Sequence, residues 1–300
     1  MRTQAVSFRK SFQCLLLLAM ILVLPGRHGF AAQDDDRGPV LFVGFGGSSA
    51  QVGQVFKLND AVGYRFNKHF EVAIGLPVYF VKASSTGLAE GFGSHNGIGN
   101  AYLDLRLFVR KSDWYFSSDV KGTAPTGDVN NGFSTGRATV DWTNYIERTI
   151  GRFTPFASGG IANTISDTHF FYRPFTSLGV VGHVEGGTYF ELLPKVSLGG
   201  SAYADLPSGQ QKVFSKLVAR GRAAQPGKNG GHGRVFETQS VTVGGADTAN
   251  DHGFAGWLDF NPASAVSFEL GYSRSTRYAL DTVFFSVGFD LGKIIRRAGH

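Results

Sequence analysis

Residues 69 to 81 read HFEVAIGLPVYFV. Phe70, Val72, Ile74, Leu76, Val78 and Phe80 fall on one parity, and His69, Glu71, Ala73, Gly75, Pro77 and Tyr79 fall on the other. Period two sustained over a dozen residues describes a strand with one apolar face, not a helix. Outward from this stretch the pattern recurs. Leu103, Leu105, Leu107 and Val109 oppose Tyr102, Asp104, Arg106 and Arg110. Ala138, Val140, Trp142 and Ile146 oppose Arg137, Thr139, Asp141 and Glu147. Val266, Phe268, Leu270 and Tyr272 oppose Ser267 and Glu269, and the last run places Val283, Phe285, Val287, Phe289 and Leu291 on one side.

With weaker runs between them, twelve strands are expected, at 38–47, 54–66, 69–82, 98–111, 113–122, 137–149, 153–164, 178–190, 195–206, 253–260, 264–273 and 278–291. Strands of about ten residues suit a tilted membrane crossing, whereas globular strands average about five or six. Every second connection is short: 67–68, 112, 150–152, 191–194 and 261–263. The others, at 48–53, 83–97, 123–136, 165–177, 207–252 and 274–277, are mostly longer. Short turns on one rim and longer loops on the other are the arrangement of an outer-membrane barrel, and an even strand count puts both ends of the chain on the short-turn rim. Phe66, Phe70, Trp114, Phe153, Phe190 and Phe260 lie beside those short turns, as an interfacial belt would. The expected fold is all-β: a transmembrane antiparallel up-and-down β-barrel of about 12 strands. A soluble sandwich or barrel is the competing reading, and it gives no reason for the loops to segregate.

Composition agrees. Charged residues make up 17% and aromatic residues 13% of the chain, with 41 glycines in 300 residues. That excludes a disordered or highly charged helical protein. A single cysteine excludes a disulfide framework and a Cys-ligated zinc site. Residues 1–31 read as a signal peptide, with Arg2, Arg9 and Lys10 ahead of the apolar run Cys14 to Leu24 and small residues near Ala31. The leader takes four of the chain's 29 basic residues and none of the 23 acidic ones, which leaves 25 against 23. The basic balance is therefore no argument for nucleic acid. Residues 32–37, with Asp34, Asp35 and Asp36, read as a flexible, solvated N-terminus rather than a divalent-ion site. The barrel spans 38–291, and 292–300, with Lys293, Arg296 and Arg297, forms a basic periplasmic tail.

Two segments carry a resemblance. Gly97-Ile98-Gly99-Asn100 followed by Leu103-Asp104-Leu105-Arg106 resembles the GxGD-then-strand signature of a family of outer-membrane proteins assigned to transport in the meta-pathway of phenol degradation. Thr123-Ala124-Pro125-Thr126-Gly127-Asp128 is similar to that family's PTGD loop, and Gly132 to Gly136 to the glycine-containing run after it. The similarity covers roughly residues 54 to 206 and the last hairpin. Asn100 stands where the family has Asp, and 207–252 has no counterpart. The resemblance implies a barrel and passage of small, aromatic or hydrophobic, molecules.

If the apolar parity faces lipid, the other parity lines the lumen. Its members are Lys57, Arg65, Glu71, Tyr102, Asp104, Arg106, Arg110, Asp119, Lys121, Arg137, Asp141, Glu147, His183, Glu185 and Glu269. Charge at membrane depth must face water or a partner. Two readings stay open: these residues line a polar passage, or they pair across neighbouring strands and close it. Luminal glycines argue for space, and opposite charges on adjacent strands argue for pairing. The segment 207–252 reads as a long external loop, with Val213, Phe214, Leu217 and Val218 spaced for a short amphipathic helix that either plugs the barrel or rests on lipid.

Catalytic readings are poor. Ser94-His95-Asn96 supplies the residue types of an outer-membrane lipid hydrolase, but three consecutive residues on an outer loop do not converge. His183 and Glu185 share a face without a third metal ligand. Gly44 to Gly47 precedes no helix and is no nucleotide fingerprint. The chain is expected to be a non-enzymatic outer-membrane barrel of a diderm bacterium with no cofactor and no metal. Its partners would be outer-membrane lipid, the barrel assembly machinery and small-molecule cargo. The alternative is a structural or interaction barrel with a salt-bridged, closed lumen.

Overall fold

The computed structural model describes residues 37–83, 94–165, 172–217, 240–291 and 294. The signal-peptide reading, nearly all of the N-terminal segment, the centre of the long loop and most of the basic tail lie outside the described residues. Fifteen strand segments make one antiparallel sheet. They are β1 (Gly38–Ala50), β2 (Gly53–Asn67), β3 (Phe70–Gly75), β4 (Val78–Ala83), β5 (His95–Ile98), β6 (Tyr102–Lys111), β7 (Trp114–Thr123) and β8 (Thr139–Arg148). They continue with β9 (Phe153–Ala162), β10 (Phe175–Leu193), β11 (Val196–Ser215), β12 (Val241–Gly244), β13 (Asp251–Ala263), β14 (Val266–Ser275) and β15 (Leu280–Asp290). β3 with β4 forms one stave of the wall and β5 with β6 another, while β12 only extends the edge of β11. The result is a closed barrel of twelve staves, sealed by pairing of β1 with β15 from Phe42↔Asp290 to Ala50↔Thr282. Closure leaves no open sheet edge around the ring.

The alternation read from the sequence is the alternation of the wall. Val62, Ile74, Leu103, Leu107, Trp142, Val184, Leu198 and Leu270 point outward and are exposed. A continuous apolar band of this kind is a surface for hydrocarbon, because water-soluble monomers rarely expose large contiguous apolar patches. Aromatic rings gather beside the short turns: Phe66 against Phe70 at 5.6 Å, Phe153 against Phe190 at 4.7 Å and Phe260 against Phe268 at 6.0 Å between centroids. Gly38 pairs with Arg65 and Asp290 with Phe42, so both ends of the barrel wall lie on the short-turn rim.

Four expectations need correction. The connection expected at 48–53 is a two-residue turn, Gln51-Val52, because β1 runs on to Ala50. β10 and β11 are 19 and 20 residues long and rise well beyond the predicted 178–190 and 195–206. Pro207 and Gly209 look like a strand end in the sequence, but a bulge absorbs them. Leu178 pairs with Lys212 and Val180 with Ser208, and Gly179 (φ 153°) and Gly209 (φ 68°) take positive φ, which glycine adopts without a Cβ penalty. Gln211 Nε2 sutures the bulge by donating to the carbonyls of Val180 (3.0 Å) and Ser208 (2.9 Å). The expected helix at 213–218 is absent where the structure is described. Val213, Phe214 and Ser215 lie in β11 between β10 and β12, and ladder pairing on both sides prevails over the i, i+4 spacing. Ser94-His95-Asn96 is not loop throughout: His95 opens β5.

Two neighbouring staves are broken at the same level, between β3 and β4 at Leu76-Pro77 and between β5 and β6 at residues 99–101. Pro77 lacks an amide to donate to a ladder. Side chains bridge the gap: Leu76 N donates to Asp60 Oδ1 (3.0 Å), Ala101 N to Thr126 Oγ1 (2.8 Å) and Gly127 N to Asn100 Oδ1 (3.2 Å). Gly99 N donates to the Pro77 carbonyl (2.7 Å). The two motif segments that carry the family resemblance are thus hydrogen-bonded to one another. A Cβ on Gly127 would stand 2.9 Å from the Ile98 carbonyl oxygen, so the approach needs glycine.

Candidate functional site: the barrel interior

The short turns fix register, and register brings the inward charges of β2, β3, β6 and β7 into contact. Glu71 faces Arg65 on one side and Arg106 on the other. Arg65 donates to Glu71 Oε2 from Nε (2.9 Å) and Nη2 (2.6 Å), and Arg106 Nη1 lies 3.7 Å from Glu71 Oε1. Asp104 faces Lys121 (3.8 Å), and Arg106 faces and hydrogen-bonds Asp119. Ser117 Oγ donates to the second Asp119 oxygen at 2.9 Å. Tyr102 donates its hydroxyl to the Asp60 carbonyl (2.7 Å) and offers its ring to Lys121 (5.2 Å). Arg110 lies over Tyr115 at 5.2 Å and Lys57 over Tyr79 at 5.3 Å. Pairing therefore holds on this side. It does not exclude water: the inward side chains of Arg106 and Lys121 keep 41% and 46% of their surface accessible.

The opposite side is built differently. Asp141 accepts from Thr143 Oγ1 (2.8 Å) and lies 3.1 Å from His183 Nε2, and Tyr145 donates to Glu147 at 2.6 Å. Glu185 and Glu269 each keep one buried carboxylate oxygen without a hydrogen-bond partner among the described residues. Glu269 stands directly opposite Asp259, which accepts from Trp257 Nε1 at 3.0 Å. Arg137 lies two residues before β8, in the external connection, and is exposed. The remaining space is filled by rings. Trp257, 2% exposed, packs with Phe156, Tyr203 and Phe284, with Tyr145 and Tyr189 at the edge. These rings sit where facing strands carry glycine: a Cβ on Gly199 would meet Trp257 at 2.1 Å, and one on Gly271 would meet Phe284 at 2.4 Å. Gly199 and Gly271, read as open space, are seats for aromatic rings.

At the long-loop end, residues without any signal in the sequence come together. Val55, Val81, Phe133, Phe175, Val213 and Leu280, drawn from all round the ring, form one apolar cluster with Leu217 and Tyr278. Beside it, buried Arg173 meets Asp205 at 2.6 Å and Asp251 at 2.9 Å. These contacts join positions far apart in the chain, and no spacing announces them.

Among the described residues, no group of three or more His, Cys, Asp or Glu side chains is placed to hold a metal ion. His95 packs its ring on Phe133 (5.4 Å), and its Nε2 is buried without a hydrogen-bond partner among those residues.

No protein-family model matches the chain, and no curated protein matches it. Solved structures do. A crystal structure of an outer membrane channel from Pseudomonas putida F1 superposes with a TM-score of 0.57 at 14% identity, covering 88% of this chain and 99% of that one. The NanC porin (TM-score 0.45, 8% identity) and the KdgM porin (0.44, 10%) each align over 83% of this chain and 98% of their own. At these identities the likeness to the Pseudomonas channel establishes a shared fold.

Proposed function

We propose that this chain is an outer-membrane channel through which small molecules pass without chemical change. The observation that carries the reading is the solvent access of Arg106 and Lys121 inside a closed barrel whose outer face is apolar. Charged side chains at membrane depth keep such access only beside a water-filled space. The passage runs along the ion-paired wall of β6 and β7. The Pseudomonas structure that shares the fold is named an outer membrane channel, which supports the reading. The location follows from it: an outer membrane reached through a cleaved leader, with lipid and the assembly machinery as partners. The test is single-channel recording in a planar bilayer of protein whose folding is verified by its gel mobility before and after boiling. Discrete conductance steps are expected. A folded barrel that stays silent in every condition, including after release of the strap described below, contradicts the proposal and favours the closed, salt-bridged alternative.

A further inference from the structure

Tyr172 to Pro174, which lead into β10, reach across the mouth. β9 and β10 stand on the far side of the ring from β1 and β2. Yet the Tyr172 amide donates to Ser48 Oγ of β1 at 2.6 Å. The Tyr172 ring occupies a notch at Gly46 of β1, where a Cβ would stand 2.4 Å from the tyrosine hydroxyl. Lys57 of β2 lies 5.6 Å from the centroid of the same ring.

Arg173, 1% exposed, points to the other flank. Its Nη2 meets Asp205 of β11 at 2.6 Å, and its Nη1 meets Asp251 of β13 at 2.9 Å. Both carboxylates are buried. Asp251 also accepts from Ser275 Oγ (2.5 Å) and Tyr203 Oη (3.1 Å), which fixes it as a receptor for the guanidinium. Lys216, just beyond β11, holds the backbone of the same segment: its Nζ donates to the Arg173 carbonyl and its amide to the Pro174 carbonyl, both at 2.9 Å.

We propose that Tyr172–Pro174 is a strap that shuts the outer mouth, and that the Arg173 pair with Asp205 and Asp251 is the latch that holds it. The inference rests on the channel reading above. A mouth closed permanently would need only apolar filling. A buried arginine shared by two carboxylates adds little stability over apolar packing of the same volume, but it sets one position sharply and loses that position when one partner goes. Residues 172–174 belong to no strand, so side-chain bonds and the Lys216 grip hold them rather than a ladder.

Two variants test the latch by single-channel recording on the full exported protein. Arg173→Gln removes the charge that both aspartates face. Ser48→Cys with Tyr172→Cys ties the strap to β1, in a chain whose own cysteine, Cys14, lies in the leader segment. Arg173→Gln is expected to raise the open time or conductance several-fold. The cysteine pair is expected to fall to baseline when oxidised and to recover with a reductant. Folded barrels that conduct equally in wild type, in Arg173→Gln and in both redox states of the pair overturn the strap and leave the channel intact. If Arg173→Gln fails to fold, the cysteine pair decides alone. Folded barrels silent in every form overturn both.

Discussion

On β2, β3, β6 and β7 the inward positions carry Arg65, Glu71, Asp104, Arg106, Asp119 and Lys121, each facing an opposite charge. Across the ring, on β9 to β15, they carry glycine set against Phe156, Tyr189, Trp257 and Phe284. One wall pairs its charges and leaves room for water. The other is packed ring upon backbone like a protein core. The difference teaches where a passage can lie: long flexible ion pairs tolerate solvent beside them, whereas a seated indole does not.

The comparison breaks most readily at Trp257. Trp257→Ala is expected to cost about 3–5 kcal/mol, the usual range for emptying a large aromatic site. The measurement is a denaturant midpoint in detergent, read by gel mobility. The same variant should enlarge single-channel conductance, because the vacated volume joins the lumen. Gly199→Ala drives a methyl group into the indole and should be destabilising in wild type but nearly silent on the Trp257→Ala background. Equal effects in both backgrounds would mean that the ring is not what Gly199 accommodates.

On the paired wall, Glu71→Gln leaves Arg65 and Arg106 short of one carboxylate. The expected loss is about 1–3 kcal/mol, smaller than at Trp257 because water can still reach both guanidinium groups. A larger loss would show this wall to be as dry as the aromatic one. The smallest effect lies outside both walls. In the turn at the short-turn rim, Arg148 Nε donates to Asp113 at 3.0 Å and holds that carboxyl below its ordinary range. Arg148→Ala should let the Asp113 pKa rise back toward the usual carboxylate value in an NMR titration, with no change in melting behaviour.

The paired wall was legible in the sequence and the packed wall was not, and the reason is physical. Opposite charges on adjacent strands could be read from the sequence, but the register that sets Asp104 on Lys121 and Arg106 on Asp119 comes from a two-residue turn, Ser112-Asp113, where the sequence suggested Ser112 alone. Glycine carries no such information. Gly199 and Gly271 read as space, and only a ring arriving from another strand shows that they are seats. The bulge at Gly179 and Gly209 hid the upper halves of β10 and β11 behind turn residues. The apolar pattern of 213–217 imitated a helix because both faces of β11 are covered there. The contacts of Arg173 with Asp205 and Asp251 join three segments with no shared spacing, so nothing in the sequence announced them.

The central claim is that the water-accessible path follows β6 and β7. It is tested most directly by the reversal potential of open channels under a salt gradient, in wild type and in Lys121→Glu. A path along this wall places the substituted carboxylate beside Asp104 and Asp141 and predicts a clear shift toward cations. An unchanged reversal potential in a folded, conducting Lys121→Glu protein would place the path elsewhere and contradict the account.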